Sequence, residues 1–291
     1  MRDTHIFANF VVAKSQSMDK DKETMSSDNT PRRARLGIAL SGGGARGFAH
    51  AGALAAIEEA GFKPDIIAGV SAGSIVAALY AAGIGPKQFL EIFSKKSFTK
   101  LVDFRPRGGG LFSMQPFKKF LEHNLGEYKN LEELPIPVYI GVTNFTDGVP
   151  EEFHTGAIAD RVLASCAIPI TFAPVIINDT EYVDGGVLRN HPAWIIRDKC
   201  DYLIGVNVSP LTQKKRADSF LSVAMRTYNL WAKANQREDM ALCDLNIAPL
   251  EITHYGPFDL RYINNVYMSG YVHTRKALRD AGLWHSPLPI K

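Results

Sequence analysis

The chain has 291 residues, 46% hydrophobic and 22% charged, a balance that excludes a disordered or fibrous protein. Lys and Arg number 33 against 30 Asp and Glu, and a net charge of +3 argues against a dedicated nucleic-acid binder, which needs a concentrated basic face. Three cysteines, Cys166, Cys200 and Cys243, stand at no metal-ligand spacing and cannot build a disulfide framework, so a reducing compartment is expected.

In chain order, residues 1–34 read as a flexible tail, rich in Ser, Lys, Asp and Arg and without periodicity. The opening Met-Arg-Asp-Thr-His carries no signal-peptide pattern, and no apolar run approaches the roughly 18–20 residues of a membrane span. A cytoplasmic location is expected, with peripheral contact at the inner membrane face as a further expectation. Residues 35–291 read as one catalytic domain. It opens on a buried strand from Arg35 to Leu40, stopped by Ser41 and Gly42. Gly47 to Ala60 is predicted helical, Asp65 to Val70 a second strand, and Ser74 to Ala82 a second helix. This β-α-β-α alternation predicts an α/β fold, a mostly parallel sheet with helices on both faces.

Further along, Lys95 to Met114 is predicted to be a loop. Pro116 to Leu125 is an amphipathic helix with Phe117, Phe120 and Leu121 on one side. Ile136 to Thr143 is a strand, Ala157 to Cys166 a helix, Glu181 to Val183 a short strand and Tyr202 to Val208 a buried strand. Phe220 to Leu242 is predicted as one long helix whose Phe, Trp and Leu belong to the core, and Asn264 to Ala281 is the last helix.

Three motifs carry chemistry. Gly69-Val70-Ser71-Ala72-Gly73 lies between a strand and a helix, the setting of a nucleophile elbow. Glycines at both flanks let the serine hydroxyl stand clear of a tight turn. Gly42-Gly43-Gly44-Ala45-Arg46-Gly47 also joins a strand to a helix. Its unobstructed N–H groups and the positive helix end suit an oxyanion, and Arg46 would add charge or tie the loop to an acidic group. Gly42, Gly44 and Gly47 also satisfy a dinucleotide fingerprint. However, the acidic residue it needs, Asp65, stands at the start of the second strand rather than its end. Asp184-Gly185-Gly186 follows the short strand, and a desolvated carboxylate there can act as a general base. His191, seven residues on, would complete a Ser-His-Asp triad; His50 is the other histidine considered, and a structural role is expected for both.

The glycine loop, the G-x-S-x-G and the D-G-G, in that order, resemble the patatin-like phospholipases from about Arg35 to about Pro210. That resemblance implies a three-layer α/β architecture and a Ser-Asp dyad without histidine. It implies hydrolysis of acyl esters of phospholipids or lysophospholipids through an acyl-enzyme, with no cofactor and no metal. Ser71 would be the nucleophile and Asp184 the general base. Gly42, Gly43 and Gly44 would line the oxyanion hole with Arg46 in support, and Gly47, Gly69, Gly73, Gly185 and Gly186 complete the motifs. The chain departs from the family in carrying Ser41 where many members have aspartate, and Ser41 is expected to serve loop packing. A lipid-binding regulator on the same scaffold and an acyltransferase are the alternatives. Lys95, Lys96, Lys100, Arg105 and Arg107 mix with Phe98, Leu101, Phe104, Leu111 and Phe112 in the predicted loop, a composition suited to anionic lipid.

Overall fold

The computed structural model describes residues 35–93, 103–107, 110–210, 220–234, 236–256 and 259–289. In chain order its elements are β1 (Leu36–Leu40), α1 (Phe48–Glu59), β2 (Ile66–Val70), α2 (Ala72–Ala81), α3 (Gln88–Ile92), β3 (Asp103–Arg107), β4 (Gly110–Ser113), α4 (Gln115–Asn124), β5 (Val138–Asn144) and β6 (Val149–Phe153). There follow α5 (Ile158–Cys166), β7 (Ile170–Phe172), β8 (Val175–Ile177), β9 (Thr180–Asp184), α6 (Ala193–Ile196), β10 (Tyr202–Val206), α7 (Phe220–Trp231), α8 (Gln236–Ala241), β11 (Leu245–Ile247) and α9 (Ile263–Asp280).

The main sheet runs β11-β10-β1-β2-β5-β9-β8, with β6 also on β5. The pairs from β11 through β5 are parallel; β6 and β9 run antiparallel to β5, and β8 antiparallel to β9. This is the α/β architecture expected. Fully buried strands explain why β1, β2 and β10 read as unbroken apolar runs rather than alternating ones. Leu36, Ile38 and Leu40 face the larger core with α1, α2 and α5. Ala39, Ile66 and Ala68 face a smaller one closed by Ala193, Ile195 and Ile196 of the short α6. The chain leaves β1 for β2 on one side and later returns as β10 on the other. Strand order therefore reverses between β1 and β10, and the loops after β1 and β2 lie at the carboxyl edge beside that switch point, where open α/β sheets usually take ligands.

Helix α1 is buried nearly all round because α9 covers its outer side. The two backbones touch through glycine. A Cβ at Gly52 would stand 1.9 Å from the Tyr267 carbonyl oxygen, and one at Gly270 would stand 2.0 Å from that of Ala49. Both obstacles are main chain, so neither can rotate away. Gly270→Val is expected to cost about 3 kcal/mol or more and to lower Tm by about 6–12 °C in a thermal melt.

Three expectations need correction. Within the predicted loop from Lys95 to Met114, residues 103–107 and 110–113 are strands, pairing as an antiparallel hairpin whose β4 also pairs with β7. Lys95, Lys96, Phe98, Lys100 and Leu101 lie outside the described residues. The long helix from Phe220 to Leu242 is two helices. The chain turns after Trp231 through short-range bonds such as Lys233 N–H to the Leu230 carbonyl. Gln236 then reaches Asn207 Oδ1 at 2.8 Å, and the buried Asp239 pairs with Arg189, contacts an unbroken helix would not direct inward. Finally, Trp231 is 60% and Leu230 46% exposed, so these side chains are not core. No helix of the described residues is long and apolar enough to cross a membrane.

Candidate active site

Ser71 sits between β2 and α2 with φ 51° and ψ −121°, a backbone conformation that costs a residue bearing a Cβ roughly 1–3 kcal/mol. The surroundings enforce it. The Ser71 N–H donates to Ser165 Oγ at 2.8 Å, and that hydroxyl donates to the Gly141 carbonyl at 2.7 Å, tying the turn to α5 and β5. The flanking glycines are sterically required. A Cβ at Gly69 would meet the Gly73 carbonyl oxygen at 2.4 Å, and one at Gly73 the Leu40 carbonyl oxygen at 2.1 Å.

Sheet register brings Asp184 to the same place. Val70 is opposite Gly141, and the next residue of β5, Val142, is opposite Asp184 at the end of β9. Ser71 and Asp184 thus occupy one row, separated by β5. At about 4.8 Å per strand their main chains are about 10 Å apart, a gap two inward side chains can close. Gly185 and Gly186 form a tight turn directly after the aspartate, and the Gly186 N–H donates to Asp184 Oδ1 at 2.7 Å.

The Asp184 carboxyl is completely buried, and burial raises its pKa to about 6. The hydroxyls of Ser71 and Tyr228 and the Gly186 amide pull the other way by favouring the ionised form. Oδ2 receives no aligned hydrogen bond among the described residues. Catalytic hydrogen bonds are often long or misaligned before substrate binds, so this geometry is compatible with a candidate general base.

The glycine loop wraps over this pair. Gly42 N–H donates to the Asn190 carbonyl at 3.1 Å, so its amide serves the loop itself, leaving Gly43 and Gly44 as the loop's candidate anion donors. Gly43 packs on Val208, while Gly44 (φ 59°) and Gly47 begin and end a short 3-10 turn leading into α1. Arg46 does not pair with an acid. Its Nε donates to the Tyr255 carbonyl at 3.0 Å and its terminal nitrogen to that of Thr253 at 3.4 Å, so it ties the loop to main chain near α9. Ser41 Oγ accepts from Val208 N–H at 3.0 Å, the packing role expected of it.

Neither histidine joins the pair. His50 Nε2 bonds the Ser41 carbonyl at 2.7 Å, and burial lowers its pKa to about 4. Among the described residues neither ring nitrogen of the buried His191 has a hydrogen-bond partner, and burial lowers its pKa to about 3. An imidazole that touches neither the serine nor the aspartate cannot relay a proton between them. Sequence reasoning missed Ser165, Asn190 and Tyr228, three isolated polar residues with no motif of their own; only the tertiary fold brings them to the turn.

Ser71 opens onto a cavity of about 170 Å³ lined almost wholly by apolar groups. Its lining includes Ala72, Ile75 and Val76 of α2 together with Phe89, Phe93, Phe117 and Phe172. Such a slot favours an apolar chain over a sugar or nucleotide. No cluster of His, Cys, Asp or Glu among the described residues suits a metal ion.

The family model described as patatin-like phospholipase matches residues 38–196. An uncharacterized NTE family protein of Mycobacterium tuberculosis is 28% identical over 217 residues, covering 74% of this chain and 59% of that protein. Lysophospholipase NTE1 of Cryptococcus neoformans is 33% identical over 177 residues, 56% of this chain but 10% of the fungal protein. The chain therefore spans about three fifths of the mycobacterial relative and a small part of the fungal one. VipD from Legionella pneumophila shares the fold with a TM-score of 0.53 at 16% identity, over 86% of this chain and 67% of VipD.

Proposed function

The chain belongs to the patatin-like phospholipase family, and from that premise we propose that it is a lipid acyl hydrolase cleaving carboxylic esters of phospholipids or lysophospholipids, with Ser71 as nucleophile and Asp184 as general base. The observation that carries the reading is a strained serine in one row of the sheet with a buried carboxyl and lining an apolar slot.

The reaction follows from that geometry. As Ser71 Oγ attacks the ester carbonyl carbon, its proton passes to Asp184 Oδ2. The negative charge that builds on the carbonyl oxygen faces the N–H groups of Gly43 and Gly44, which need no reorganisation to meet it. Collapse of the tetrahedral intermediate expels the lysolipid or glycerol oxygen, which takes the proton back from Asp184 and leaves an acyl-Ser71 ester. Water then enters, gives a proton to Asp184 and attacks the acyl carbon; Ser71 regains the proton as the fatty acid departs. A base with a pKa of about 6 is mostly ionised at neutral pH yet still accepts protons readily, which suits both halves of the cycle.

Fatty-acid release from phosphatidylcholine and lysophosphatidylcholine vesicles, with fluorophosphonate labelling mapped to Ser71, tests the proposal. Absence of both label and product would overturn it. The slot makes a further prediction. Ile75 stands one turn after Ser71 in the slot wall. Ile75→Trp is expected to lower kcat/KM for esters of long chains by about tenfold or more while changing that for acetyl or butyryl esters less than threefold, because each buried methylene contributes about 0.8 kcal/mol. A chain-length series read in parallel for both proteins measures this.

A further inference from the structure

We infer that Tyr228 is a positioning residue for the Asp184 carboxyl, holding it in its ionised form and turned toward Ser71. This rests on the reading of Ser71 and Asp184 given above.

The tyrosine comes from α7, on the far side of the 3-10 turn that follows β9. Its hydroxyl, Asn190 Oδ1 and Asp184 Oδ1 crowd the space beside Gly186 that a side chain would occupy. A Cβ placed there would stand 2.6 Å from the phenol oxygen, 2.8 Å from Asn190 Oδ1 and 3.0 Å from Asp184 Oδ1. The tyrosine hydroxyl stands close enough to the Asp184 carboxyl to favour its charged form, and burial, reinforced by the nearby carboxylate, raises the phenol's own pKa well above its usual value. Asp184 Oδ1 already accepts the Gly186 N–H, so the carboxyl is gripped from the turn and from α7 while the Ser71 side stays open.

The other groups around the carboxyl cannot replace this donor. From α2 comes the Ser71 hydroxyl, which must give up its own proton in the reaction. From α5 comes the Cys166 thiol, whose own ionisation the aspartate suppresses. The turn supplies Gly186. No lysine or arginine among the described residues acts on the carboxyl. A neutral phenol is then, among the described residues, the one side-chain donor beside Asp184, apart from the reacting serine, that favours its charged form and that substitution can remove. Val223 and Leu230, on the side of the helix opposite Tyr228 at 100° per residue, are 52% and 46% exposed.

The test is the pH profile of kcat/KM for a soluble ester in the full chain, from pH 5 to 9, with the pH dependence of fluorophosphonate labelling of Ser71 as a second readout. Tyr228→Phe removes only the hydroxyl. Its acidic limb is expected to move up by about one pH unit, so that it is about tenfold slower than wild type on the limb and within about threefold of it at pH 9, with KM little changed. Tyr228→3-fluorotyrosine, a stronger donor of nearly the same shape, should move the limb down, and it answers the question if the phenylalanine variant does not fold. A uniform loss at every pH, or superimposed profiles, would overturn the inference while a dead Ser71→Ala left the catalytic reading standing. Undiminished turnover in Ser71→Ala would overturn both.

Discussion

Ser71→Ala is expected to lower kcat for ester hydrolysis by at least about 10⁴-fold, and Ser71→Gly to do the same while raising Tm. Removing the nucleophile leaves only the contributions of binding and of the oxyanion donors. The two variants separate chemistry from backbone strain. Alanine keeps a Cβ at φ 51°, so its melting temperature should match wild type within about 2 °C, whereas glycine relieves a conformation costing roughly 1–3 kcal/mol and should melt several degrees higher. The Ser71 amide bond to Ser165 and the contacts of Gly69 and Gly73 survive in both, so near-ultraviolet circular dichroism should remain native. A stable Ser71→Ala that still releases fatty acid at the wild-type rate would remove the hydroxyl from the reaction. An alanine variant that fails to fold would not stand in the way, because the glycine variant asks the same question from the stabilised side.

That a serine is held where glycine would be more comfortable shows why this part of the molecule was legible in the sequence. Tight turns at the ends of buried strands restrict residue type so severely that Gly69, Gly73 and the glycines from Gly42 mark their own geometry. The central parallel strands were legible for a related reason: β1, β2 and β10 are buried on both faces and must be apolar throughout. Edge elements carry no such signature. β7, β8 and β11 are three residues each and part-exposed, and nothing local distinguishes them from loop. The break after Trp231 was hidden because Lys233 and Ala234 are acceptable helix formers; what ends the helix is the distant demand of Asn207 and Arg189 for Gln236 and Asp239. Arg46 misled for the same reason. A half-buried arginine satisfied by two main-chain carbonyls leaves no acidic partner to be found in the sequence. The proposed pairing of Ser71 with Asp184 follows from motif order in the sequence, while the shared row across β5 that supports it exists only in the sheet register.

Asp184→Asn is expected to lower kcat by at least about 10³-fold and at the same time to stabilise the protein at neutral and alkaline pH. The carboxyl is buried with its pKa raised from 3.8 to about 6, so the folded state binds a proton more tightly than the unfolded chain does. The stability that this carboxyl contributes is therefore fully present below pH 3.8 and lost as pH rises through 6; above that, keeping the charge buried costs up to about 3 kcal/mol. An amide carries no such charge. Tm of the variant should exceed wild type at pH 8 and converge with it near pH 4. The convergence has to be read as a difference between the two proteins. His50 and His191 titrate in an overlapping window with the opposite sign: their pKa values are lowered to about 4 and about 3, so the stability of either protein falls as pH drops below 6.5. Those contributions cancel in the comparison and leave the aspartate alone. His191→Gln should retain turnover, since neither ring nitrogen hydrogen-bonds to Ser71 or Asp184. Loss of activity in the asparagine variant without any pH-dependent gain in stability would mean that the carboxyl is better solvated than its burial implies. Its basicity would then have to come from a neighbour rather than from exclusion of water.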